Sequence, residues 1–363
     1  MKRLLGQPYA LDILRRSLTS GRMHHGWIFA GPPGVGKCTT AIELAKILLD
    51  PQASREPASA FDDPPANDTT RLIESRSHPD VHIIRKELAA YSNNAALRNK
   101  KQINIPIDVL REHMIGGYSG TTYYEPKAYH SPVKAPCKVF IIDEAELIDR
   151  NGQNALLKTL EEPPTHTYLF LITSRPQRLL ATIRSRCQMV RFGPLDDAAL
   201  DAWFAEHELG ESADERAWIK WFCDGSPGKA QLAADYGFHQ WHNGLSPMLR
   251  DLVAGRFPSA MGQTLAECVD DFANAWVKNH ENASKDAANK AGTGHVLFLL
   301  AAQARHELVE NCDDENEADR WLGVIDAICT AEQQIYANVN MKMVFEDLVA
   351  QWMKCVERPA GAR

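Results

Sequence analysis

The 363 residues include eight cysteines, and no two of them stand in a C-x-x-C pair. Cys38, Cys137, Cys187, Cys223, Cys268, Cys312, Cys329 and Cys355 show no zinc-like spacing, so reduced thiols or small buried apolar groups are expected and a structural zinc site is not. His78 and His82 do not supply one. Val81-His82-Ile83-Ile84 reads as a strand, in which four residues separate two rings by ~13 Å. Long apolar runs are missing too. The longest, Val296-Leu297-Phe298-Leu299-Leu300-Ala301-Ala302, is far short of the roughly 20 residues that span a bilayer. The segment from Met1 to Pro8 has no apolar core of the secretory type, so a cytoplasmic chain with no membrane association is expected. Positive charge is not in excess: 40 Lys and Arg stand against 47 Asp and Glu, a formal net charge of -7. That excludes a broad basic face wrapping nucleic acid, though not a local contact. Arg98, Lys100 and Lys101 form the only compact basic cluster near a loop, without interleaved aromatic residues.

What is present is an ordinary globular composition, 44% hydrophobic and 24% charged. The length exceeds one core, so two or three domains are expected. Leu11, Leu14 and Leu18 line one face of a first helix that stops near Gly21. Apolar strands are predicted at 27–30, 81–84, 139–142, 168–172 and 188–192, with helices between them at about 41–48, from Pro106 to Met114, at 151–161 and at 178–185. Near-continuous apolar strands alternating with helices specify a parallel sheet covered on both faces. The proline-rich stretches 51–77 and 116–137 read as loops. After Pro194 only helical periodicity remains. The expected architecture is an α/β P-loop domain over 1–193, a helical lid over 194–240 and an all-α C-terminal domain over 241–363.

Gly31-Pro32-Pro33-Gly34-Val35-Gly36-Lys37-Cys38-Thr39 follows a strand and opens a helix, the setting a phosphate-binding loop requires. Its glycines let backbone N–H groups turn inward, the helix N-terminus adds positive potential, and Lys37 reaches terminal phosphates. ATP or ADP is the expected ligand. The residue after the lysine should be Ser or Thr, whose hydroxyl ligates Mg²⁺; Cys38 offers a soft thiol to a hard ion and disfavours the metal. Thr39, about 100° further round the helix, cannot take its place. Asp143 and Glu144 end the strand 139–142. There an Asp can hold Mg²⁺ through water and a Glu can activate attacking water, the alternative being a strand that ends in solvated acids. Thr173, ending the next strand, could bond that water or a γ-phosphate. Arg184 and Arg186 alone would be solvated surface groups.

The blocks Ile141-Ile142-Asp143-Glu144-Ala145-Glu146, Asn154-Ala155-Leu156-Leu157-Lys158-Thr159-Leu160-Glu161-Glu162-Pro163-Pro164 and Thr182-Ile183-Arg184-Ser185-Arg186-Cys187-Gln188 together resemble the bacterial clamp-loader branch of the AAA+ proteins, which serves DNA polymerase III. Ser77-His78-Pro79-Asp80-Val81 and Ala337-Asn338-Val339-Asn340 make the delta-prime type the nearest within that branch. The resemblance implies a subunit of a pentameric ring that loads the sliding clamp on primer-template DNA. Its partners would be gamma/tau motor subunits and the delta subunit. The arginine of Ser-Arg-Cys, here Arg186, would act as a finger in the neighbour's ATP site, and the C-terminal helices would form a collar. Three departures bear on this. The zinc cysteines of the family are absent from 51–77, Cys38 replaces the Mg²⁺ hydroxyl, and Gly228, beside Lys229, stands where motor subunits carry a sensor arginine. They favour a non-hydrolysing subunit over the alternative, an active gamma/tau-type motor, which Lys37, Asp143, Glu144 and Thr173 support. An unrelated P-loop kinase would leave the second and third blocks unexplained.

Overall fold

In the computed structural model the described residues are 4–53, 67–98, 103–280, 283–337 and 339–357. The chain divides into two compact units, Met1–Leu209 with Cys223–Lys229, and Gly210–Phe222 with Ala230–Arg363.

The first unit is built on a parallel sheet of five strands: β1 (Gly26–Ala30), β2 (Val81–Ile84), β5 (Lys138–Ile142), β6 (Thr167–Thr173) and β7 (Gln188–Arg191), in the order β2-β5-β6-β1-β7. The central strands β1, β5 and β6 are apolar through their centres because both faces are covered. Trp27, Phe29, Val139, Ile141, Phe170 and Ile172 pack on one side against Ala41, Leu44, Ala45 and Leu48 of helix α2 (Lys37–Leu49) and Leu14 of α1 (Pro8–Thr19). Ile28, Ile84, Phe140, Ile142, Leu169 and Leu171 pack on the other against Leu156 and Leu160 of the helix Arg150–Glu161. Fully burying each such side chain contributes about 1.5–3 kcal/mol, and that is what fixes the register. The register sets Ile84 beside Ile142 and Ala30 beside Thr173, so the residues following each strand emerge side by side at one edge of the sheet.

Two stretches expected to be loops carry structure. Within 51–77, α3 (Asp68–Glu74) forms because the Asn67 side chain caps it, accepting from the amide of Thr70 at 3.1 Å. Lys46 Nζ ties it to α2 by pairing with Glu43 at 2.8 Å and Glu74 at 2.9 Å. Residues 54–66 lie outside the described residues. Lys100 and Lys101 do too; Arg98 ends the short α4 (Ala95–Arg98). Within 116–137 lies a hairpin, β3 (Gly117–Ser119) with β4 (Thr122–Tyr124), and the rest of the stretch is pinned by Asp80. That carboxylate is wholly buried and accepts the amides of Val133, Lys134 and Ala135 at 2.7–3.1 Å. The helix expected from Pro106 is only one turn, α5 (Ile107–Leu110), which widens into Arg111–Ile115, where the Gly116 amide bonds the Arg111 carbonyl at 3.2 Å. The helix Arg150–Glu161, α6, starts on an Asp149 cap, and the helix expected at 178–185 shrinks to α7 (Ala181–Arg184). The unit also holds α8 (Asp197–Glu206).

The second unit consists of helices and their connections among its described residues. It includes most of α9 (Ala213–Cys223) and α10 (Pro227–Asp235), then α11 (Phe238–Val253), α12 (Met261–Asn279), α13 (Lys285–Glu310), α14 (Glu315–Tyr336) and α15 (Met341–Glu357). Phe272 centres its core, with the rings of Tyr236, His295 and Trp276 at 4.8, 5.0 and 5.6 Å. The apolar run 296–302 lies in α13, its Val296, Leu299 and Leu300 buried. No helix among the described residues is long and apolar enough to cross a membrane.

Candidate functional site

The edge of the sheet where β1, β2, β5 and β6 end carries the predicted loop residues, Asp143, Glu144 and Thr173, but not Arg186. The chain leaves β1 at Ala30, turns through Gly31–Gly36 and enters α2 at Lys37. Gly34 (φ 78°) and Gly36 (φ 96°) hold left-handed conformations that side-chain-bearing residues rarely adopt, which is why the turn needs glycine at both. Five successive carbonyls of this loop are engaged. Lys37 Nζ donates to Gly31 O at 2.7 Å and to Pro32 O, Ser226 Oγ to Pro33 O at 3.0 Å, the Gly228 amide to Gly34 O at 2.9 Å, and Gln7 Nε2 to Val35 O at 3.2 Å. Lys37 is 6% exposed, and burial pushes its amine down to about 8 against the pull of Glu146 and Asp143.

The segment Ser226–Gly228 thus lies directly on the phosphate loop. A Cβ at Gly228 would sit 2.6 Å from Gly34 Cα, and one at Gly34 would sit 2.4 Å from Ser226 Oγ. The position that resembles a sensor-arginine site carries glycine for a steric reason: backbone meets backbone there, with no room for a side chain.

Asp143 and Glu144 follow β5 in a turn where Glu144 takes a left-handed φ of 52°, a strained conformation of the kind found at functional turns. Both acids are paired to cations from the end of β2. Arg85 Nη2 lies 3.0 Å from Asp143 Oδ2, and Lys86 Nζ lies 2.7 Å from Glu144 Oε2. The same Arg85 nitrogen is 3.5 Å from Cys38 Sγ. Burial, with Asp143 alongside, pushes the Cys38 thiol up to about 11, so it stays protonated at neutral pH. Thr173 is buried at the end of β6, where its carbonyl accepts the Gly31 amide at 3.2 Å and its hydroxyl accepts the Arg175 amide at 3.1 Å. Glu146 accepts from the Ser174 amide at 3.0 Å and from the Ser174 hydroxyl.

The predicted residues Gly31–Cys38, Asp143, Glu144 and Thr173 therefore converge. Thr39 adjoins them in the first turn of α2. Arg85, Lys86, Glu146, Gln7 and Ser226 escaped the sequence reading. A cation following a strand carries no motif; only the parallel register, which sets Ile84 beside Ile142 and so Arg85 beside Asp143, reveals it. A P-loop ATPase would hold Mg²⁺ between the residue after its lysine and the acid ending β5. The groups present do not fit that ion: the first is a protonated thiol, and a guanidinium already occupies the second. Among the described residues no group of three His, Cys, Asp or Glu side chains could hold a metal.

Arg186 is separate from this cluster. It follows α7 in the turn into β7, where its Nη2 pairs with Glu161 Oε1 at 2.8 Å and its Nη1 donates to Thr182 O at 3.0 Å. Its side chain is 36% exposed, and Arg184 is exposed as well.

Residues 6–196, more than half of the chain, match the family described as DNA polymerase III, delta subunit. The chain is 32% identical over 203 residues to DNA polymerase III subunit delta' of Bacillus subtilis, covering 56% of this chain and 52% of that protein. It is 29% identical over 244 residues to DNA polymerase III subunit gamma of Buchnera aphidicola subsp. Schizaphis graminum, covering 66% and 58%. The chain therefore spans little more than half the length of these curated relatives. A solved DNA polymerase III gamma subunit-related protein from Thermotoga maritima aligns over 96% of this chain and 100% of that one, at 17% identity and a TM-score of 0.43. The chain belongs to the clamp-loader family of DNA polymerase III, AAA+ proteins whose members include delta', gamma and tau subunits.

Proposed function

We propose that this chain is the delta-prime-like member of its clamp loader: a ring component that completes a neighbour's ATP site with Arg186 and does not itself turn over ATP. One observation carries the reading. Both acids that would serve hydrolysis, Asp143 and Glu144, are held by cations of their own chain, Arg85 and Lys86. A carboxylate bound to a guanidinium or an ammonium is a poor metal ligand and a poor base. Cys38 and Gly228 act in the same direction. Arg186 lies outside that cluster, 36% exposed and paired to the partly solvated Glu161, which it would exchange for a neighbour's nucleotide, where a guanidinium would stabilise charge on a transferring phosphoryl group.

In this reading the chain works in the cytoplasm within a pentameric ring with gamma/tau motor subunits and a delta subunit. The sliding clamp and primer-template DNA are met through the assembly. Residues 1–193 would form the AAA+ module, 194–240 the lid and 241–363 the collar that holds the ring together. The second reading, an active gamma/tau-type motor, draws on the intact Gly31–Lys37 loop. A loader reconstituted with loop-lysine variants of every motor subunit separates the two, because this chain then keeps the only intact loop. The first reading predicts no hydrolysis above background; turnover at the rate of a motor site would establish the second.

A further inference from the structure

In a metal-using phosphate loop the divalent ion bridges the side chain after the lysine and the acid that ends the neighbouring strand. Here one nitrogen spans those two groups: Arg85 Nη2 is 3.0 Å from Asp143 Oδ2 and 3.5 Å from Cys38 Sγ. The contact is built by the sheet. Ile84 is registered against Ile142, and the Asp143 amide bonds the Ile84 carbonyl at 3.0 Å, so Arg85 and Asp143 cannot leave the strand ends except side by side. A guanidinium has five N–H donors and a permanent charge. Among the described residues its Nη2 faces the two acceptors Asp143 Oδ2 and Cys38 Sγ, and its Nε is buried without a partner. Lys86 holds Glu144 in the same manner one residue further on, so the end of β2 supplies two fixed positive charges to the two acids.

We propose that Arg85 is the built-in cation of this phosphate loop, standing in for the divalent metal, so that the chain binds the polyphosphate of a nucleoside di- or triphosphate without Mg²⁺. The proposal rests on reading Gly31–Lys37 as a phosphate-binding loop, as the proposed function does, and adds what neutralises the phosphates there. The guanidinium keeps its bond to Asp143 and turns its remaining donors to phosphate oxygens. Fixed by hydrogen bonds, it supplies charge without a metal's ability to polarise a water for attack, which suits a site that holds nucleotide and does not cleave it.

The test is equilibrium titration of the full-length chain with fluorescent ADP and ATP analogues, in Mg²⁺ and in EDTA. Wild-type dissociation constants should agree within about twofold in the two buffers, while Arg85→Ala should weaken binding in EDTA by about tenfold or more, the loss of a charge-assisted contact. In the double variant Arg85→Ala with Cys38→Thr, which frees Asp143 and restores a hydroxyl, Mg²⁺ should tighten binding by about tenfold or more. Melting curves establish that each variant is folded; should the alanine variants fail, the wild-type comparison and Arg85→Lys, expected to bind more weakly than wild type in EDTA, still decide. A wild-type affinity that rises tenfold with Mg²⁺, no binding in either buffer, or Arg85 variants that bind as wild type in EDTA would each overturn the proposal. Arg186 takes no part in this measurement, so its failure and the failure of the trans role are read separately.

Discussion

Arg186 is held on its own subunit by Glu161, with Nη2 and Oε1 2.8 Å apart, while its side chain remains 36% exposed. The Thr182 carbonyl takes a second donor at 3.0 Å. A finger anchored in this way is oriented before any neighbour arrives, and anchoring costs little because an exchange of one partially solvated anion for another is near balanced. Glu161→Gln should therefore change chain stability by no more than about 1 kcal/mol and lower hydrolysis by the assembled loader by no more than about tenfold. Urea denaturation and steady-state ATPase assays check the two figures. A loss as deep as that of an arginine deletion would mean that Glu161 itself serves the neighbour's site.

Cys38→Thr alone should not produce turnover. The substitution restores a hydroxyl, but Asp143 stays bound to Arg85 and Glu144 to Lys86, and no arginine reaches the loop from Gly228. Single-chain ATPase assays in Mg²⁺ should remain at background. Turnover at a motor subunit's rate would show that the two ion pairs open when a metal is offered.

Gly228 should resist every side chain. A Cβ there meets Gly34 Cα at 2.6 Å, so Gly228→Ala forces the Ser226–Gly228 segment off the loop and should cost about 1–3 kcal/mol. Gly228→Arg should cost at least as much and should not create a working sensor. Denaturant midpoints measure both; an arginine variant as stable as wild type, with new hydrolysis, would contradict the backbone contact.

The stability of the first unit should fall in acid for a reason located at His82. From β2 its ring stacks on Phe140 of β5 at 4.7 Å, and burial, aided by Lys127, Lys138 and His113, pushes its imidazole down to about 4. The unfolded imidazole takes a proton near pH 6.5, the folded one only near 4, so across that window the unfolded state holds more protons. Stability is therefore full above pH 6.5 and declines as the pH falls towards 4. His82→Leu should flatten that part of the profile. Urea midpoints measured from pH 7 to 4 that decline equally in both proteins would place the acid sensitivity elsewhere.

The strands and the phosphate loop were legible in the sequence because burial on both faces leaves a continuous apolar run and because glycine has few substitutes at Gly34 and Gly36. The convergence of Lys37, Asp143, Glu144 and Thr173 followed from strand ends alone. What composition could not disclose was pairwise. Asn67 caps α3 inside a stretch whose prolines read as loop, and Lys46 then ties it down. Arg85 and Lys86 look like any solvated dipeptide until the β2–β5 register brings them against the two acids. The sequence marked Gly228 as a missing arginine; the structure adds why the residue is glycine. His78 and His82, considered for a metal, are a buried turn residue bonding the Asp80 amide at 3.1 Å and a ring stacked on Phe140.

The measurement that bears most directly on the account is DNA- and clamp-stimulated ATP hydrolysis by the reconstituted loader, wild type against Arg186→Ala, with assembly followed by size exclusion. Removing an arginine finger costs on the order of 10³-fold or more at the affected site. The account predicts an intact assembly that loses one site's turnover on that scale. An intact assembly with unchanged hydrolysis would contradict it.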